Sequence, residues 1–262
     1  MAQPVSAPLR IGIVGAGTIG RVIAETLLRQ SDGRTALAWI CTRNVEKARA
    51  WAGDTAIVAD MAGALARPVD LVVEAALPDV MRAMVPEFLE RCDVMPFSLT
   101  PLADQGFYDR LDAIARRAGR RLILPKGAIV GLDGIVAAQP ILTSVRMTTT
   151  KSPESLGQPA GKAGVLFSGS TRDAVVHFPR NTNVHVAVAL AGVGLDRTQS
   201  IVTAMPGLKT MRHLIEVEGE GLAWSIAVES LSLGGVSGAF VPLSAAMSAL
   251  RRAVQPPGIH FE

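Results

Sequence analysis

Only two cysteines occur in the 262 residues, Cys41 and Cys92, and their separation fits neither a metal-ligand set nor a disulfide framework. Their scarcity excludes a small disulfide-stapled secreted fold and fits a reducing compartment, so a cytoplasmic protein without a metal is expected. Long apolar runs are missing too. No stretch reaches the length of a membrane span without Gly, Pro or charge, and the opening residues MAQPVSAPLR lack the basic region and apolar stretch of a secretory signal. A membrane partner is not expected. Charge of one sign is also in short supply, with a formal excess of only +3. The tightest basic cluster, Arg116, Arg117, Arg120 and Arg121, straddles a predicted helix end at Gly119, where cations suit the C-terminal dipole. A nucleic-acid partner is therefore not expected, which leaves a small-molecule substrate. What the chain does have is apolar side chains, 49% of its residues, against 19% charged, enough to bury a substantial core.

Hydrophobic periodicity organises the first half. A short apolar strand over 10–14 is followed by Ile19, Val22, Ile23, Leu27 and Leu28 at helical spacing within 18–29. Strands are then predicted at 36–41, 56–58, 69–75, 94–99 and 121–124, with helices at 45–51, 79–91 and 107–118 between them. This alternation is the pattern of a doubly wound parallel sheet. After Gly127 the texture changes. Residues 139–159 read as extended, with a β-branched strand at 145–151, a helix at 183–195, and strands at 200–205, 214–218 and 222–231. The fold class is thus α/β, an N-terminal Rossmann sheet with a second α+β lobe. The expected division is 1–125 and 126–241, with a final helix over 242–262 returning to the first lobe.

Gly15, Gly17 and Gly20 lie between the first strand and the first helix. In that place the first glycine permits the tight turn, the second lets backbone approach a pyrophosphate, and the third lets the helix pack close to the strand. The anion would rest on the free N–H groups at the helix start, those of Thr18 and Ile19 among them. At the end of the second strand, where a carboxylate would select NAD, the chain has Thr42-Arg43-Asn44. A guanidinium that forks onto a phosphate, flanked by two hydrogen-bond donors, favours NADP over NAD. Alternatively, Arg43 stacks on adenine or points into water. The Glu74-Ala75-Ala76 segment, at the carboxyl end of a buried strand, is where a nicotinamide is expected.

Several segments then match one family in order: Gly15-Ala-Gly17-Thr-Ile-Gly20, Leu71-Val-Val-Glu74-Ala-Ala76, Gly127-Ala-Ile-Val-Gly131-Leu-Asp133, Phe178-Pro-Arg-Asn181-Thr-Asn183-Val and Leu190-Ala-Gly192-Val-Gly194. With them the chain resembles the L-aspartate dehydrogenases across nearly its whole length. The resemblance implies a second lobe that forms a homodimer, and reversible oxidation of an amino acid to an imine that water converts to a keto acid and ammonia. It also implies His213 as the catalytic group, with Lys151 and Asn183 at the substrate. A near-neutral imidazole suits that proton transfer at physiological pH.

The departures from the family cluster where substrate would bind. Met205 and Met211 replace an acid and an amide, Lys126 replaces a serine, and Ser98-Leu-Thr-Pro-Leu102 and Ser237-Gly-Ala-Phe-Val241 replace two further motifs. Two methionines make a softer, more apolar pocket. Lys126 either points into the site and holds a carboxylate or lies on the surface. The expected function is an NAD(P)-dependent oxidoreductase acting on the CH–NH2 group of aspartate or a relative. The alternatives are an NADP(H)-binding paralogue without catalysis and a Rossmann reductase of another carbonyl.

Overall fold

A computed structural model describes residues 7–29, 33–53, 55–233, 237–238, 241 and 244. The chain divides into two compact units, one comprising Met1–Ser98 and Asp109–Pro125, the other Leu99–Tyr108 and Lys126–Val241. The helix expected over 242–262 lies outside the described residues.

The first unit runs β1 (Leu9–Val14), α1 (Thr18–Arg29), β2 (Thr35–Cys41), α2 (Val45–Ala52), β3 (Ala56–Val58), α3 (Met61–Leu65), β4 (Leu71–Glu74), α4 (Pro78–Leu89) and β5 (Asp93–Pro96), followed by α5 (Gln105–Ala118), whose residues from Asp109 onward belong to it. The strands form one parallel sheet in the order β3-β2-β1-β4-β5. Helices connecting parallel strands cover a sheet on its faces, which is why β4 is buried at all four positions and reads as a continuous run instead of alternating. Helix α1 buries Gly20, Ile23, Ala24 and Leu27 on one stripe. Sealing side chains such as Ile23 and Leu27 contributes roughly 1.5–3 kcal/mol each. The strand expected at 121–124 is not formed. Leu122 makes only an isolated parallel bridge to Val94, because the segment runs at once into Pro125, which has no N–H to continue a ladder.

The second unit contains α6 (Leu132–Ala138), β6 (Leu142–Lys151), β7 (Gly164–Ser170), α7 (Thr171–His177), α8 (Asn183–Ala191), β8 (Gln199–Ala204), β9 (Thr210–Gly219), β10 (Leu222–Leu233) and β11 (Ser237–Gly238). Its sheet has the order β11-β10-β9-β6-β8-β7, with β6 parallel to β8 and antiparallel to β9. Strand alternation sends Val145, Met147, Thr149 and Lys151 of β6 to the buried face, together with Ser200, Val202 and Ala204 of β8 and Met211, His213, Ile215 and Val217 of β9. Four of those buried positions are polar or charged, and they define the chemistry of this unit.

Candidate active site

The glycine loop of the first unit has the shape an anion site requires. Gly15 has φ +102°, and a Cβ there would stand 2.5 Å from the Ala75 carbonyl oxygen. At Gly20 a Cβ would lie 2.0 Å from the carbonyl oxygen of Gly15, so only a bare α carbon lets α1 approach the loop. Gly17 is different. A Cβ there meets nothing within 4 Å, so no protein atom demands glycine, and the space above it suits a bound group. Thr18 is exposed and Ile19 half-buried, and no side chain among the described residues accepts from the N–H groups of this first turn. Those N–H groups, at the positive end of a 12-residue helix, are the donors a pyrophosphate takes. A cavity of about 1150 Å3 opens beside the loop and is lined by Gly15, Gly17, Thr42, Arg43, Ala75 and Ala76 among others. The residues present therefore fit a dinucleotide.

At the far end of that cavity the Asn44 N–H donates to Thr42 Oγ1 at 3.2 Å, and Asn44 Oδ1 caps α2 by accepting from the Lys47 N–H. These bonds hold the turn in place and leave the Thr42 hydroxyl hydrogen free to donate. Arg43 is exposed and has no hydrogen bond or ion pair among the described residues. Three carboxylates line the cavity, Glu46, Asp60 and Asp79, and of these Asp60 serves as the N-cap of α3, accepting from the Gly63 N–H at 2.8 Å.

Glu74 faces inward instead. It is 1% exposed, and its oxygens accept from the N–H groups of Ala76 at 2.8 Å and Ser98 at 3.0 Å and from the Ser98 hydroxyl at 2.9 Å. Burial pushes this carboxyl above the ordinary carboxylate range, and the three donors pull the other way. Its task is to tie the ends of β4 and β5 together, which fixes the backbone of Ala75 and Ala76 at the cavity wall.

In the second unit the buried polar positions meet. Thr149 Oγ1 lies 2.7 Å from Nε2 of His185 and 2.9 Å from Nδ1 of His213, and Nδ1 of His185 lies 2.9 Å from Ser200 Oγ. Ser200 Oγ in turn lies 2.8 Å from Thr171 Oγ1. Beside them, Lys151 Nζ donates to Asn181 Oδ1 at 2.9 Å. Burial pushes the Lys151 ammonium down to about 8. Burial, with the Lys151 cation adding to it, pushes the His213 imidazole down to about 4, and His185 falls to about 3 for the same reasons together with the nearby His213. Near neutrality this cluster therefore holds two uncharged imidazoles and a cation.

Of the residues singled out from sequence, His213 and Lys151 come together here. Asn183 does not join them, since its Oδ1 accepts from the backbone N–H groups of Leu99 at 2.9 Å and Thr100 at 3.1 Å and so anchors that turn. The Lys126 side chain is 44% exposed and pairs with Asp133 at 3.2 Å, at the start of α6. Met211 is buried two residues before His213 on the same face of β9, whereas Met205 is 41% exposed. Thr149, His185 and Ser200 were not singled out, and Asn181 entered only as part of the Phe178-Pro-Arg-Asn181-Thr-Asn183-Val segment, without a role. The period-2 pattern of Val145–Lys151 would have paired Thr149 with Lys151 on one face, but nothing local marks His185 or Ser200.

Residues 133–252 match the family described as aspartate dehydrogenase, C-terminal, and residues 15–125 match the homoserine dehydrogenase NAD-binding domain. The L-aspartate dehydrogenase of Methanosarcina acetivorans is 35% identical over 269 residues, covering 95% of this chain and 98% of its own. The crystal structure of aspartate dehydrogenase from Thermotoga maritima superposes with a TM-score of 0.73 at 21% identity, covering 97% of this chain and 99% of that one. The protein GenD2 from gentamicin A biosynthesis, solved in complex with NAD, has a TM-score of 0.58 at 17% identity over 97% of this chain and 87% of its own.

Proposed function

The chain belongs to the L-aspartate dehydrogenase family, and on that premise we propose that it catalyses the reversible, NADP-preferring oxidation of L-aspartate to oxaloacetate and ammonia. The observation that carries this reading is the second unit's buried pair, an uncharged His213 beside the Lys151 cation, the two residues that the family resemblance implies as base and substrate-holding cation. The nicotinamide, when bound, supplies the hydride acceptor.

The remaining work falls to side chains. His213, uncharged above about pH 4, takes a proton from the substrate ammonium, gives it up to solvent, and after the C–H bond is broken takes a second from the water that attacks the imine carbon. Lys151, charged below about pH 8 and steered by Asn181, holds a substrate carboxylate. Its cation has a second effect, because it disfavours a charge on His213 and so keeps the base in its working form. The overall change consumes aspartate, water and the oxidised cofactor and yields oxaloacetate, ammonium, the reduced cofactor and a proton.

The test is consumption of NADPH by the purified protein with oxaloacetate and ammonia, run beside a panel of other α-keto acids. Turnover with oxaloacetate that requires ammonia supports the reading, and a protein that binds NADPH without turning over any keto acid contradicts it. The same assay addresses cofactor choice. Arg43→Ala is expected to lower the NADPH to NADH preference about 10- to 100-fold, since bonds to a charged group are worth about 1.5–3 kcal/mol. An unchanged preference would show that Arg43 does not touch the phosphate.

The pH dependence of substrate binding follows from Lys151. Its folded-state value lies below the ordinary 10.5, so its charge is present below about pH 8 and is lost as pH rises through that value. Affinity for succinate, a dicarboxylate with no amino group to titrate, is expected to fall above about pH 8. In Lys151→Met it is expected to be weaker by about 10- to 100-fold and flat across that range. Calorimetric titration at several pH values checks both, and a decline that persists in the methionine variant would assign it to another group.

A further inference from the structure

The two buried imidazoles belong to a chain of hydrogen bonds with a fixed end. The Thr171 hydroxyl donates to the Thr198 carbonyl oxygen at 3.3 Å, which uses the only hydrogen it has. The 2.8 Å contact between Thr171 and Ser200 must then be donated by Ser200. Ser200, its hydrogen spent, accepts from Nδ1–H of His185 at 2.9 Å. An uncharged ring with a hydrogen on Nδ1 has a lone pair on Nε2, which therefore accepts from the Thr149 hydroxyl at 2.7 Å. Thr149, again with no hydrogen left, accepts from Nδ1–H of His213 at 2.9 Å. The direction set at one carbonyl thus reaches the far imidazole through four side chains.

The opposite direction is the poorer one. It forfeits the Thr171 bond to the Thr198 carbonyl and puts the last hydrogen on Nε2 of His213, where no acceptor stands among the described residues. Nε2 of His213 has no partner among the described residues, yet it is not among the atoms sealed without one, which among those residues are Thr35 Oγ1 and Thr198 Oγ1. The residue as a whole is 3% exposed. Burial keeps both rings uncharged, which the one-hydrogen-per-ring reasoning requires.

We propose that Thr149 and His185 are positioning residues that hold the His213 imidazole as the tautomer with its hydrogen on Nδ1, leaving the Nε2 lone pair outward to act as the base. The proposal rests on His213 being the base of the proposed reaction. It explains why a second histidine, 0% exposed and unable to touch substrate, is built into this face at all. A hydrophobic side chain in its place would leave the Thr149 hydroxyl free to turn and donate to His213. The ring would then carry its hydrogen on Nε2 and present a donor where a lone pair is needed.

The experiment is nitrogen-15 NMR of histidine-labelled protein at neutral pH, read together with steady-state kinetics. With four histidines in the chain, the spectrum is assignable by single substitutions. In the unaltered protein, His213 is expected to show a protonated Nδ1 and an unprotonated Nε2. In Thr149→Val the tautomer is expected to shift toward Nε2–H, with kcat lower by about 10- to 1000-fold and KM for aspartate changed by less than about threefold. Thr149→Ser is expected to retain the Nδ1–H tautomer and most of the rate. His185→Leu, which removes the acceptor while keeping Thr149, is expected to reproduce the valine variant. If either substitution prevents folding, the tautomer of the unaltered protein still decides the matter. A hydrogen on Nε2 of His213, or a Thr149→Val protein with unchanged tautomer and rate, overturns the positioning role. An unchanged rate in His213→Ala overturns the base role itself, so the two failures are read separately.

Discussion

Replacing His213 by alanine is expected to lower kcat for aspartate oxidation by about 10^2- to 10^4-fold, the range over which a positioned acid-base group contributes. Affinity for NADPH should change little, because the residues that line the cavity beside the glycine loop all belong to the other compact unit. The loss should appear in kcat and kcat/KM together, as for an interaction made only in the transition state. Small primary amines or imidazole added to the assay should restore part of the rate if the missing function is a base. The measurement is a pair of titrations, turnover against aspartate and fluorescence against NADPH. Unaltered turnover in this variant would remove His213 from the mechanism. It would favour the reading in which the chain binds nucleotide without using this histidine.

The glycine loop yields the second large effect, and it separates two glycines that look alike in sequence. Gly20→Ala places a methyl 2.0 Å from the Gly15 carbonyl oxygen, a clash between two backbone segments that no side chain can relieve. Overpacking of this kind costs about 1–3 kcal/mol, and moving α1 off the loop should abolish measurable NADPH binding as well. Gly17→Ala puts its methyl into open space, so the free protein should keep its stability within about 0.5 kcal/mol. That methyl stands where the pyrophosphate must approach, and nucleotide affinity should fall by at least about 10-fold. Thermal unfolding without ligand, compared with NADPH titration, tests the contrast. Equal destabilisation by both substitutions would mean the open space at Gly17 is not reserved for a ligand.

The contrast also shows which features the sequence discloses. Strand, glycines and helix of the nucleotide loop lie within 20 residues of one another, and α1, α2 and β3 are formed within a residue or two of where periodicity puts them. Long-range pairing is harder to see. Strand β7 was missed because Gly164–Ser170 has almost no buried position and Val165 is 63% exposed. Helices α6 and α7, of seven residues each, are too short to complete an apolar stripe, and of 139–159 only Leu142–Lys151 is strand, with short 3-10 turns at Gln139–Ile141 and Glu154–Leu156. The buried chain of hydrogen bonds was illegible for a related reason. Its members stand on β6, α7, α8, β8 and β9, up to 64 residues apart between bonded partners, and none has a polar neighbour in sequence that marks it as buried. His213 itself follows Arg212, whose exposure is the opposite, because adjacent strand residues face opposite ways. Asn181 and Asn183 have unlike duties because one lies in the turn before α8 and the other is the first residue of that helix, the first accepting from a lysine and the second holding a backbone turn.

The proposed reaction moves a hydride from the α carbon of aspartate to a pyridine nucleotide. L-aspartate deuterated at that carbon, incubated with the enzyme and NADP, tests it in one mass spectrum of the reduced cofactor. The account requires NADPH carrying the deuterium, formed in equal amount with oxaloacetate. Reduced cofactor without the label, or no reduced cofactor while NADP is bound, would contradict it.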